Sequence, residues 1–143
     1  MQTFNKQHTA IFYGDVQAVH LPSDQPDLKI KIDPLPPRCM YLRCEKLEVV
    51  SHVLPNGQRD QELKATRKVV VQAQEFWGLA DVVKYDEALD RIIFEGGEGS
   101  PATLYRTKGQ GANQEKVSGK KILYWRKTGT CKVEDGEGIN VAN

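Results

Sequence analysis

The chain has 143 residues and nearly balanced charge, 20 basic against 19 acidic side chains, for a formal net charge of +1. That length suits one domain able to bury roughly two-thirds of its unfolded surface. The lack of a basic stripe argues against a nucleic-acid partner, and no apolar run is long enough for a membrane span.

In chain order, the N-terminus "MQTFNKQHTAIF" lacks the apolar core of a secretory signal. The chain therefore reads either as cytosolic or as an excised piece of a larger exported protein. "AIFYGDVQAVHL" (10–21) predicts a first strand, and "LKIKID" (28–33) alternates strictly, as a half-buried strand does. The prolines of "DPLPP" (33–37) end it, because proline has no donor for a ladder. "MYLRCEKLEVVSHV" (40–53) predicts a long strand kinked near Glu45. There the apolar parity switches from Leu42 and Cys44 to Leu47 and Val49, as a bulge would cause. Asn56-Gly57 is a tight-turn signal. Strands are expected at 62–73, 76–85, 91–95, 101–106, 117–125 and 130–134, with 107–118 as a mobile loop. Good helix formers occur only around 60–74, and they pass into a valine run that favours a strand. The spacing predicts an all-β sandwich, barrel or open roll.

Of the three cysteines, Cys39 and Cys44 would lie about 16 Å apart on a strand that rises roughly 3.3 Å per residue, too far to bond. A Cys44–Cys131 bond stays open beside three free thiols.

The chain also repeats itself. "ADVVKYDEALDRIIFEGGEGS" (80–100) returns as "GKKILYWRKTGTCKVEDGEGI" (119–139), an ungapped offset of 39 residues. Tyr85 aligns with Tyr124, Glu95 with Glu134, Gly97 with Gly136, and Val83, Ile92 and Phe94 with Ile122, Cys131 and Val133. Apolar character is kept at every second position while the intervening residues drift. Each copy is thus a strand, a short turn and a strand with one constrained apolar side. A lone hairpin cannot bury such a side, so it must stack on a neighbour built the same way. "AIFYGDVQAV" and "YLRCEKLEVV" look like further half-copies, so the chain reads as successive hairpins of about 40 residues.

These segments resemble the strand–turn–strand signature of the OstA-like, or LptA-like, domain family, over about three-quarters of the chain. The resemblance implies an all-β antiparallel β-roll, or half jelly roll, of repeated hairpins, V-shaped around an open apolar interior. Residues 1–143 would form a single OstA-like domain or a fragment of a larger exported protein, in the periplasm or cell envelope. It further implies a non-enzymatic role in lipopolysaccharide transport, with a lipid or lipopolysaccharide-like amphiphile in the interior. Related β-roll domains or a second copy would join through edge strands, with no cofactor. The sequence departs from the family in its proline-rich 22–37 and its 107–118 segment.

If a groove exists, the repeat parity nominates its lining: Val83, Tyr85, Ile92, Phe94, Ile122, Tyr124 and Val133. The plainer reading is a sealed core of the same residues, since most apolar strand sides simply pack. Trp77 and Trp125 are candidates for a groove mouth or for half-buried strand positions. His8, His20 and His52 lie far apart in the sequence, without metal-ligand spacing. Glu95 with Glu98, and Glu134 with Glu137, recur with the repeat and read as solvated turn residues. No nucleophile constellation is present, so no catalytic residue is nominated. An assembly module without lipid binding is the alternative function, and a loop-based enzyme or carbohydrate binder is a third.

Overall fold

The computed structural model describes residues 6–20, 39–53, 55–57, 59–107, 114–134 and 139–142. The expected strand at 28–33 and the proline-rich segment lie outside them, as does Glu137. Ten strands are present among the described residues: β1 (Lys6–His20), β2 (Met40–Val53), β3 (Arg59–Ala73), β4 (Phe76–Asp86), β5 (Arg91–Glu95), β6 (Ala102–Thr107), β7 (Gln114–Gly119), β8 (Lys121–Trp125), β9 (Thr130–Glu134) and β10 (Ile139–Ala142). There is no helix among the described residues.

All ten belong to one antiparallel sheet in the order β1-β2-β3-β4-β5-β8-β9-β10, with β6 and β7 branching from β4. The sheet is not closed into a barrel. The expected all-β fold of hairpin-connected antiparallel strands is therefore present. Two expectations need correction. Residues 114–118 are not loop but most of β7, which pairs Val117 with Leu104. The single strand expected at 117–125 is split at Lys120 into β7 and β8. One side of β7 carries Val117 as its only large apolar residue, which is too weak a pattern for periodicity to detect. β10 was not anticipated.

A crease runs across the four long strands. Register shifts fall between Tyr13 and Val16 on β1, Arg43 and Lys46 on β2, and Thr66 and Val69 on β3. The kink expected near Glu45 is one of these. On β4 the crease falls at Asp81, between Ala80 and Val82. Beyond it the sheet forks: residues 76–79 pair with β6, and residues 82–86 pair with β5. β1 and β3 cross the crease with two residues each, Gly14-Asp15 and Arg67-Lys68, while β2 and β4 cross with one. Gly14 (φ 105°), Arg67 (φ 71°) and Lys68 (φ 50°) take the left-handed conformation that lets a strand turn this corner.

The crease divides the sheet into two layers that face each other. The first holds 6–13, 46–53, 59–66 and 82–86 with β5, β8, β9 and β10. The second holds 16–20, 40–44, 69–73 and 76–80 with β6 and β7. β6 lies against β8 and β7 against β9. Between the layers is one core, built from Met40, Leu42, Val69, Val71, Phe76 and Leu104 on the second layer and Leu47, Ala65, Ile92, Phe94, Ile122 and Cys131 on the first. Phe76 reaches across to Phe94 (6.4 Å) and Tyr124 (5.0 Å), both edge to face. Gly78 makes room for this packing, since a Cβ there would sit 2.5 Å from the Phe94 ring.

Candidate functional site

The repeat is realised as two hairpins side by side. β4 with β5 and β8 with β9 are joined through the β5–β8 pairing, so Val83, Phe94, Ile122 and Val133 form one inward row across four strands. Tyr85, Ile92, Tyr124 and Cys131 form the next. The last turn residue of each hairpin has positive φ, Asp90 at 50° and Gly129 at 72°, and the two are 39 positions apart. The first turn residues match as well: Glu87 N–H donates to the Gln61 carbonyl at 3.0 Å, and Arg126 N–H to the Asp90 carbonyl at 3.1 Å. Tyr85 and Tyr124 share a further property. Burial pushes both phenols up to about 12. Nearby carboxylates push the same way, Asp90 for Tyr85 and Glu75 for Tyr124, and Arg126 opposes the shift in both.

All seven nominated lining residues thus share one side of the sheet, and all are buried between the layers. Ile92, Phe94 and Ile122 are fully enclosed, and even Val133 is only 7% exposed. At this end the roll is shut by two arginines. Arg106 on β6, 3% exposed, donates to Glu115 (2.9 Å) and to the Gly129 carbonyl in the β8–β9 turn. Arg126 in that turn reaches back to Glu75 (2.9 Å) and lies over the Phe76 ring at 5.4 Å. Each guanidinium ties one layer to the other and keeps its charge paired while half or wholly buried.

At the opposite end of the interior, toward β1, the described residues leave an opening. A cavity of about 170 Å³ is lined there by Ala18, His20, Leu42, Leu47, Val49 and Leu63, with Gln61 at its polar rim. The parity argument missed these residues because it was drawn only from the repeated hairpins. Leu42, Leu47 and Val49 carry the same alternation and were visible as a strand in the sequence. His20 is 8% exposed, with Nε2 at 3.0 Å from Glu87 Oε2 and its ring edge-on to Tyr85 at 5.0 Å. Beyond the mouth, β1 shows Ile11, Phe12 and Tyr13 at 47%, 50% and 71% exposure.

The remaining candidates do not converge. Trp77 and Trp125 are half-buried on the outer sides rather than at the mouth; Trp77 stacks on Tyr105 at 4.1 Å, and Lys132 lies 5.5 Å from the Trp125 ring. His52 pairs with Glu62 (2.9 Å) on the surface. Glu95 pairs with Lys84 (3.2 Å), Glu134 lies 3.9 Å from Lys121, and Glu98 is exposed. A trough of about 290 Å³ crosses the outer side of the first layer, lined in part by Glu48, Glu62, Lys64, Lys84 and Arg91. Two of its carboxylates are already engaged, Glu48 by Lys46 (3.2 Å) and Glu62 by His52. No cluster of metal ligands occurs among the described residues. Cys39, Cys44 and Cys131 are free and buried, so no Cys44–Cys131 bond forms, and burial raises the thiols of Cys44 and Cys131. No helix among the described residues is long and apolar enough to cross a membrane.

No protein-family model matches the chain, and no curated protein matches it.

Proposed function

We propose that the chain acts without a reaction centre, as a cell-envelope module of the OstA-like kind that joins related domains edge to edge. The observation that carries this reading is the state of β1. It is 15 residues long, pairs with β2 alone among the described residues, and bares three consecutive large apolar side chains, Ile11, Phe12 and Tyr13. An unpaired edge is a template for another strand, and soluble proteins usually blunt it with charge or proline. A neighbour's strand added at β1 would cover those side chains and extend both layers across the junction. The test is light scattering over a concentration series. The unaltered chain is expected to associate and the double variant Phe12→Lys, Tyr13→Lys to stay monomeric. An unaltered chain that remains monomeric at the highest concentrations refutes the reading.

A second reading, binding or conducting a lipid amphiphile, is favoured by the open mouth between Leu42, Leu47, Val49 and Leu63. Burying an acyl segment there would contribute about 0.8 kcal/mol per CH₂. Val83, Tyr85, Ile92, Phe94, Ile122, Tyr124 and Val133 would join the lining only if the layers parted. A fluorescent acyl probe is expected to bind, and Val49→Asp at the half-exposed rim to abolish binding in a folded protein. Undiminished binding in that variant refutes this second reading.

A further inference from the structure

The mouth of the interior holds a histidine that the fold leaves incompletely satisfied. His20 ends β1, is 8% exposed, and lines the cavity together with Leu42, Leu47, Val49 and Leu63. Neither ring nitrogen has a hydrogen-bond partner among the described residues. Nε2 approaches Glu87 Oε2 to 3.0 Å without hydrogen-bond alignment. Leaving a buried polar atom unpaired costs free energy, and native proteins seldom keep one without a reason.

The chemistry of the missing partner follows from Glu87. Nε2 is the ring nitrogen that faces the Glu87 carboxylate, an acceptor, so the tautomer that carries its proton there leaves Nδ1 as an acceptor. Nδ1 is then a buried acceptor without a donor. A ligand carboxylate has no proton to give and would be repelled by Glu87, whereas a hydroxyl can donate. At about 170 Å³ the cavity is smaller than the roughly 300–1,000 Å³ that holds drug-sized ligands, so it suits a short segment rather than a whole lipid.

We propose that this cavity takes the hydroxyl-bearing end of an aliphatic chain, whose O–H donates to His20 Nδ1 while its carbons lie against Leu42, Leu47, Val49 and Leu63. The proposal rests on the amphiphile reading of the interior and adds the head-group chemistry and the residue that selects it. Gln61 at the rim offers the hydroxyl oxygen a second polar neighbour.

The test titrates 1-hexanol and hexanoate, separately, into protein labelled at ring nitrogens and at leucine and valine methyls, at mildly alkaline pH. 1-Hexanol is expected to move the methyl signals of Leu42, Leu47, Val49 and Leu63 together with the His20 Nδ1 signal, and to bind more tightly than hexanoate. His20→Phe should weaken 1-hexanol roughly three- to tenfold, the equivalent of one hydrogen bond. Methyl shifts without an Nδ1 shift, equal affinity in His20→Phe, or tighter hexanoate binding would overturn the role of His20 and leave the amphiphile reading standing. If neither 1-hexanol, hexanoate nor a fluorescent acyl probe moves the methyls, the amphiphile reading fails with it. The Nδ1 signal of the unaltered protein decides the matter even where the variant does not fold.

Discussion

Alkaline pH should unfold this protein through two matched tyrosines. Tyr85 and Tyr124 ionise at about 12 in the fold against an ordinary value of 10, chiefly because burial disfavours the phenolate. Between pH 10 and pH 12 the native state therefore holds protons that the unfolded chain releases, and stability falls as pH rises; below pH 10 this contribution is intact. Each pKa unit corresponds to about 1.4 kcal/mol, so each tyrosine, half-ionised in the fold at the top of that window, has given up roughly 2.3 kcal/mol there, and the pair roughly 5. That is comparable with the lower end of the 5–15 kcal/mol that holds a typical domain together. The thiols of Cys44 and Cys131, raised above 9, add to the same slope, so the comparison has to be made between variants. The assay is urea unfolding at stepped pH. Tyr85→Phe and Tyr124→Phe should each flatten the loss by a similar amount, and both together should remove most of it. A loss that persists in the double variant, or one that only one single variant flattens, would refute the claim that the two hairpins bury equivalent phenols.

Other substitutions probe the interior and its closure. Gly78→Ala drives a Cβ into the Phe94 ring and should cost about 1–3 kcal/mol, read as a lowered melting temperature. Phe94→Asp places a carboxylate at a fully enclosed position facing Phe76 and should abolish the folded state, read as loss of the cooperative unfolding transition. Arg106→Ala unties β6 from the β8–β9 turn and should cost about 3 kcal/mol in urea unfolding. Exchanging the matched turn residues should act in opposite senses: Asp90→Gly neutral or slightly stabilising, Gly129→Asp destabilising by about 1 kcal/mol.

The hairpins were legible in the sequence because their apolar residues recur at every second position in two aligned copies, and those residues do share one side. The crease was legible only in part, and the reason is arithmetic. β2 crosses it with the single residue Glu45, so inward positions shift from Leu42 and Cys44 to Leu47, and the parity break is visible. β4 shows the same break between Ala80 and Val83. β1 and β3 cross with two residues, which preserves the period: Leu63 and Ala65 continue to Val69 and Val71 as if the strand were straight. β7 was lost for a different reason, because the Arg106–Glu115 ion pair and the ladder to β6 hold its place rather than an apolar stripe. The lining of the mouth was missed because it comes from three strands that are neighbours in space but lie outside the two aligned copies from which the parity was read.

The crease residues Asp15, Glu45 and Asp81 are exposed and outside the left-handed conformation that constrains Gly14, Arg67 and Lys68, so which amino acid stands at these three places matters less than how many stand there. Removing Glu45, or inserting one residue beside it, would turn half of β2 inside out, with Leu42 and Cys44 in water and Arg43 in the core. Drift at these positions should therefore be free in spelling and frozen in length, and any relative of this protein should change letters there without ever gaining or losing one.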